Sequence, residues 1–241
     1  GKRTVGHIKI SVGFVHSRVK KRRDSAHRFA VNPDQRVFAV FFTKPIDHRF
    51  QIVFFIISVA RRFPAACAVP PVVNWLREKH GEHALIGIHG ESMGAVTTLL
   101  YAGMDEADAD FYVADCPFAT FEDQLVYRLK EDFHLPGAFI LPLASLFLRW
   151  RDGYRIRDVS PLSVVGKIKK PVLFIHSKHD DYIPAESSEM LYEKKPGEKR
   201  LYIAEKGAHA MSYTQNRNSY KNTVRDFLQE ITNRRKEGER A

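Results

Sequence analysis

From Asn74 onward, apolar and polar positions follow two alternating patterns. Short apolar runs occur at ALIGIH (84–89), DFYVAD (110–115), PVLFIHS (171–177) and RLYIAE (200–205). Each is the length and composition of a buried strand in a parallel sheet. Pro171 opens its run, a position where a strand tolerates proline. Between the runs the period lengthens to that of helices. Met93 to Ala102 places Val96, Leu99, Leu100 and Gly103 on one side, and Glu186 to Lys194 and Ser219 to Ile231 read likewise. NWLREKHG reads as the end of a helix stopped at Gly81. Residues 120–150 give two helical stretches, rich in Phe and Leu, split by Pro136 and Gly137. Strands alternating with helices predict an α/β fold, a parallel sheet with helices on both faces. The end of the chain, NRRKEGERA (233–241), reads as a solvated charged tail.

Before Asn74 the pattern dissolves into apolar bursts (VFAVFF, QIVFFIISVA), a basic run KKRR at 20–23 and scattered histidines, with no lasting period. Composition breaks at the same place. Residues 1–73 hold 14 Lys and Arg against 3 Asp and no Glu, whereas the other 168 residues hold 24 basic and 25 acidic side chains. The formal charge of +10 therefore belongs to one segment, which argues against a nucleic-acid partner. The longest apolar run, Ile52 to Ala60, is well short of the ~20 residues of a membrane helix. With no secretory pattern at the first residues, a cytoplasmic protein is expected. Cys67 and Cys116 make neither a disulfide framework nor a metal cluster. The whole is 44% hydrophobic and 27% charged, ordinary for one globular domain.

The basic segment has a second peculiarity. If residue i is set against residue 120 − i, all 49 pairs from Gly1/Ala119 to Arg49/Pro71 can be encoded by reverse-complementary codons. His16 faces Met104, His27 faces Met93, and Pro45 faces Trp75. Phe14, Phe29, Phe38 and Phe42 face glutamates, and Lys20 and Lys21 face Leu100 and Leu99. The relation stops at Phe50/Pro70. Residues 1–49 thus read as the antisense of 71–119, and complementing acidic and leucine codons accounts for the Val, Ile, Phe and Lys of the segment. Such a stretch carries no selected agreement between pattern and packing. The expectation is an aberrant segment over 1–73 with N-terminal strands missing or disordered, a core over 74–232 and a tail over 233–241.

The chemistry sits in the core. Gly90-Glu91-Ser92-Met93-Gly94 lies directly between a strand and a helix, where a serine occupies a sharp turn with its hydroxyl exposed above the sheet. Small residues at 90 and 94 let the two backbones come close. The helix N-terminus supplies partial positive charge, and the Met93 N–H is a candidate oxyanion donor. By composition alone such a pentapeptide arises in roughly one chain in ten of this length; its place between strand and helix narrows it. Asp180 follows the strand PVLFIHS, where functional loops of open α/β sheets sit, with Asp181 as a rival. His209 follows the last strand, as the order Ser…Asp…His requires of the base. His80, His83, His89, His176 and His179 carry no such signal.

The strings NWLREKHG, LIGIHGESMGAVTTLLYAG, VADCPFATFEDQL, DVSPL, KKPVLFIHSKHDDYIP and GAHAMS together resemble the α/β-hydrolase superfamily, and most of all its bacterial serine-aminopeptidase-like and cell-surface hydrolases. The resemblance covers 74–232. It implies Ser92 as nucleophile, Asp180 as acid, His209 as base and a small helical cap over 120–160. It also implies ester, thioester or amide hydrolysis through an acyl-serine, with a small acyl substrate and no metal or organic cofactor. Aminopeptidase activity and a catalytically inactive binding scaffold are the alternatives. Phe133, Leu135, Phe139, Leu141, Leu143, Leu146 and Phe147 are candidates for an acyl pocket or for plain packing. The departure is upstream. The superfamily's His-Gly loop, source of the second oxyanion donor, is not found before Asp47, and its Asp-x-Arg segment continues only partly at Asp47-His48-Arg49. Read as complement, Pro64 to Pro70 give Arg-His-Gly-Ala-Ser-Gly-Gly, the missing continuation. An impaired enzyme is expected.

Overall fold

The computed structural model describes residues 36–38, 41–47, 50–60, 69–81 and 83–238. Seven strands form one sheet: β1 (Arg36–Phe38), β2 (Phe41–Asp47), β3 (Phe50–Ala60), β4 (Leu85–Glu91), β5 (Phe111–Asp115), β6 (Val172–Ser177) and β7 (Lys199–Ala204). The order is β1-β3-β4-β5-β6-β7, with β2 also paired to β3. From β3 to β7 every pairing is parallel. β1 and β2 run antiparallel to β3 along its outer edge.

The sheet is covered on both faces because its strands alternate. Ile86, Ile88, Tyr112, Ala114, Val172 and Phe174 point to one face. They pack there against α1 (Pro70–His80), α2 (Met93–Ala102) and α6 (Glu186–Lys194) through Val73, Leu76, Leu99 and Leu191. Leu85, Phe111, Val113, Leu173 and Ile175 point to the other face and meet Tyr220, Phe227 and Ile231 of α8 (Arg217–Gly238). Phe111 and Phe227 meet edge to face at 6.1 Å. Period-2 burial of this kind removes both faces from water, which is what stabilises a parallel sheet.

α1 ends at Gly81, whose φ of 82° few other residues adopt readily. Near that end Arg77 donates to the Ala84 carbonyl at 2.7 Å and pairs with Asp108 and Asp110 at 3.1 and 3.0 Å. Asp110 in turn accepts from the Ile86 N–H at 2.7 Å. One guanidinium thus fastens the end of α1 to the starts of β4 and β5.

Between β5 and β6 lie α3 (Phe121–Phe133), α4 (Gly137–Asp152) and the short α5 (Pro161–Val164). Thr120 caps α3, its hydroxyl accepting from the Asp123 N–H at 3.0 Å. The split at Pro136 and Gly137 falls where the sequence places it, and the core strands begin and end within two residues of the predicted runs.

One boundary moves. α1 runs from Pro70 to the helix end read at NWLREKHG, but α8 continues through Gly238, so most of the expected charged tail is helical. The larger correction concerns the N-terminal strands. They were expected missing or disordered, which would leave one edge of β4 bare. Instead Ile52 to Ile57 of β3 pair with Leu85 to Gly90 of β4. The reason is compositional. QIVFFIISVA is rich in Val, Ile and Phe, residues that favour an extended, half-buried backbone. An open strand edge is a ready template for such a run. Residues 1–35 and 61–68 lie outside the described residues, and the question of a second oxyanion donor after β3 falls on the latter.

Candidate active site

Ser92 stands between β4 and α2 with φ 54° and ψ −118°, a strained conformation for a residue with a side chain. Two contacts hold it. Its N–H donates to the Asp115 carbonyl at 2.8 Å, and its own carbonyl accepts from the Val96 N–H at 3.1 Å. The turn also depends on Gly90, where a Cβ would lie 2.1 Å from the Gly94 carbonyl oxygen. The α2 N-terminus therefore opens directly behind the serine hydroxyl, with the Met93 N–H in its first turn.

The structure brings Ser92, His209 and Asp180 into one hydrogen-bonded line. Ser92 Oγ lies 2.8 Å from His209 Nε2, and His209 Nδ1 lies 2.8 Å from Asp180 Oδ2. An ionised carboxylate only accepts, so Nδ1 carries the proton and Nε2 is left to accept from the serine hydroxyl. Asp180 is fully buried. Burial alone would raise its pKa. Four N–H groups outweigh that and hold it well below the usual carboxylate range: His176 and His209 at Oδ2, and the backbone of Ile183 and Tyr182 at Oδ1. The rival Asp181 is exposed, and its backbone carbonyl accepts from Arg128 at 3.1 Å.

Several supporting residues carry no sequence signal. His176 is buried; its single Nε2–H is shared between the Ile183 carbonyl at 2.9 Å and Asp180 Oδ2 at 3.3 Å, and its Nδ1 accepts from the Ser188 hydroxyl at 2.7 Å. The loop bearing His209 is closed by Asn216, which bonds the Lys206 carbonyl at 2.6 Å and the Ser212 carbonyl at 3.0 Å. Ser212, which opens the short α7 (Ser212–Gln215), donates to Asp115 Oδ1 at 3.0 Å, and Ser177 lies 3.0 Å from Ser212. Tyr220 OH lies 3.1 Å from Asp115 Oδ2 and 3.1 Å from His89 Nε2. Asp115 thus ties the serine turn, the histidine loop and α8 together. Burial raises its pKa to about 6 against the hydrogen bonds it accepts, and burial lowers that of His89 to about 4. Burial and the nearby Asp115 raise Glu91, beside Ser92, to about 7.

Cap helix α3 holds the other side. Gln124 donates to the Tyr182 carbonyl at 2.7 Å, the Tyr182 ring lies 5.0 Å from that of His209, and Arg128 sits 4.4 Å over Tyr182. The apolar candidates on the cap do not converge on the site. Leu141 is buried, but Phe133, Leu135, Phe139, Leu143, Leu146 and Phe147 are exposed to solvent. Their helical spacing turns all but Leu141 away from the side that packs on the protein.

Cys116, Asp180 and His209 each bring one potential ligand atom within 4.8 Å of the others. The set fits a metal poorly. Burial drives the Cys116 thiol pKa far up, away from the thiolate a metal needs, and the Asp180 oxygens are already taken by N–H donors.

A sequence model of the prolyl oligopeptidase family matches residues 75–235. The protein YqkD of Bacillus subtilis (strain 168) is 63% identical over 158 residues, which are 65% of this chain and 52% of that protein, so the chain spans about half the relative's length. Among solved structures, the Pyrococcus furiosus esterase Pf2001 superposes with a TM-score of 0.55 at 22% identity, over 72% of this chain and 64% of that one. Another crystal form of the same esterase gives 0.54 at 20% identity, over 75% and 69%.

Proposed function

The chain belongs to the prolyl oligopeptidase family, within the α/β-hydrolase superfamily, and from that premise we propose that its site is built to cleave a carboxylic ester through an acyl-Ser92 intermediate. The observation that carries this reading is the line Ser92–His209–Asp180, with both hydrogen bonds at 2.8 Å. His209 Nε2 takes the hydroxyl proton as Ser92 Oγ attacks the carbonyl carbon. The Met93 N–H and the α2 N-terminus receive the developing oxyanion. Asp180 keeps the imidazole in its Nδ1–H form and stabilises the imidazolium. His209 then gives the proton to the departing alkoxide, and a water deprotonated by the same nitrogen releases the acid. The solved relatives called esterases support a shared fold, and the line itself serves acyl transfer from esters and amides alike.

Within this reading the chain works below the capacity of its lineage. A hydrolase of this design uses two oxyanion donors, and the segment that would supply the second is replaced by antisense sequence. Loss of one donor costs on the order of 10²–10³ in rate. The family's name favours a second reading, cleavage of a peptide amide.

The test is labelling of the full chain by a fluorophosphonate probe, followed by assays on p-nitrophenyl esters and aminoacyl p-nitroanilides. Covalent labelling at Ser92, lost in Ser92→Ala, with turnover of the esters, is the expected result. A folded chain in which Ser92 resists the probe would overturn the proposal, and turnover confined to the anilides would transfer it to the peptidase reading.

A further inference from the structure

Helix α4 carries an apolar ridge on its solvent side. Phe139, Leu143, Leu146, Phe147 and Trp150 are 51–81% exposed. At 3.6 residues per turn their spacing gathers them within about 100° of arc, while Leu141 lies on the opposite, buried side. A contiguous exposed patch of large apolar side chains marks a contact surface. The ridge runs along one helix, with Phe147 and Trp150 ring centroids 6.0 Å apart, an apolar stripe that a deformable apolar phase can cover.

Charge names the occupant. Arg149 and Arg151 fall on the two flanks of the ridge, each about 100° from its centre, where long cationic side chains reach the headgroup level of a bilayer. Arg151 pairs with the neighbouring Asp152. Beside the ridge lies an open recess of about 370 Å³ lined by Arg149, Arg155 and Arg157, with Leu141 and Leu146 on its apolar wall and Glu122 as its one acid. Three guanidinium groups against one carboxylate match a phosphodiester headgroup. An apolar stripe, an aromatic near its end and flanking arginines are the features of a helix lying in a membrane interface. At 16 residues α4 is too short to cross a bilayer, so its contact is interfacial.

We propose that α4 docks this protein on an anionic phospholipid bilayer, with the Phe139–Trp150 ridge in the acyl–headgroup boundary and a lipid phosphate in the Arg149–Arg155–Arg157 recess. The proposal stands apart from the catalytic reading, because no residue of the Ser92 site takes part.

The test is flotation of the full chain with vesicles of phosphatidylcholine alone and of equal parts phosphatidylcholine and phosphatidylglycerol. Binding is expected on the mixed vesicles, tighter by about fivefold for each arginine engaged and weakened by salt. Arg155→Ala with Arg157→Ala brings the affinity for mixed vesicles down towards that for phosphatidylcholine. Phe139→Ser with Phe147→Ser removes binding to both, with circular dichroism reporting that the variants fold. Quenching of Trp150 by brominated lipid in the unaltered chain reads the same contact without substitution. Four results would overturn the proposal: no flotation, equal binding to both vesicles, binding that survives loss of the ridge, or a concentration-dependent dimer that the ridge substitutions dissolve.

Discussion

At the scale of single residues the site is held by contacts that no motif announces. Ser212 on the histidine loop bonds Asp115, 97 positions earlier in the chain. Replacing Ser212 by Ala removes one hydrogen bond to a buried carboxylate, worth about 1.5–3 kcal/mol. The loop then loosens around His209, and we expect kcat on the best ester to fall about tenfold with KM little changed. Steady-state kinetics check it, and Ser212→Thr, which keeps the hydroxyl, restores most of the rate. Asp180→Asn leaves the geometry but donates where it should accept, and a loss of about 10³–10⁴ in kcat is expected. Ser92, Asp180 and His209 were legible because chain order and strand ends restrict where each can stand. His176, Asp115, Ser212, Asn216 and Tyr220 were not, because their roles arise from pairings across the fold, and His176 and His89 looked like any other histidine.

Titration at the same scale has opposing signs. Asp115 has a folded pKa raised to about 6, so the folded state binds its proton more readily than the unfolded chain, and this group's contribution to stability falls as pH rises through that window. His89 is lowered to about 4, so its contribution rises with pH between about 4 and its ordinary value of 6.5. The two slopes work against each other. Asp115→Asn removes one of them, and its stability relative to the parent chain is expected to improve from pH 5 to pH 7 in urea unfolding. An unchanged difference between the two pH values would contradict the assignment.

At the scale of elements, the strand–turn–helix around Ser92 and the anchoring of α1 decide whether the core forms. Gly90→Ala sets a methyl carbon against the Gly94 backbone, with no flexible side chain to give way. A destabilisation exceeding about 4 kcal/mol is expected, seen as loss of soluble protein. Arg77→Ala severs four hydrogen bonds to three residues and should cost about 2 kcal/mol by denaturant unfolding. The core strands and helices were readable because their periods persist over whole elements. β3 was not, since an apolar run without alternation fits strand and helix segment alike. What settled it was the open edge of β4, a property of the sheet. The outward face of α4 was misread for a related reason: its apolar residues are continuous enough to suggest a pocket, and only the placement of Leu141 shows which side is inside.

At the scale of the whole molecule, two segments of unlike composition share one sheet. Residues 75–235 carry the family match and all three residues of the hydrogen-bonded line. The edge ribbon β1–β3 is built from sequence that mirrors 71–119 and adds residues 50–70. Such an edge covers β4, while the stretch after β3 lacks the superfamily's His-Gly sequence. A chain with the His-Gly loop and the Asp-x-Arg segment in place of residues 1–73 is therefore expected to exceed this chain in kcat/KM by about 10²–10³, while both react with the fluorophosphonate. Equal rates would show that residues 61–68 or another group already act as donor.

The Tyr220 hydroxyl has one proton to give and two neighbours at 3.1 Å. While Asp115 is ionised the proton points to the carboxylate, and His89 must hold its own hydrogen on Nε2. Once Asp115 takes up a proton it becomes the donor, the tyrosine hydroxyl turns, and His89 changes to its Nδ1–H tautomer. The nitrogen-15 shifts of one imidazole thus record the charge on a carboxylate that it never touches, and they should cross over near pH 6 while the ring itself stays neutral.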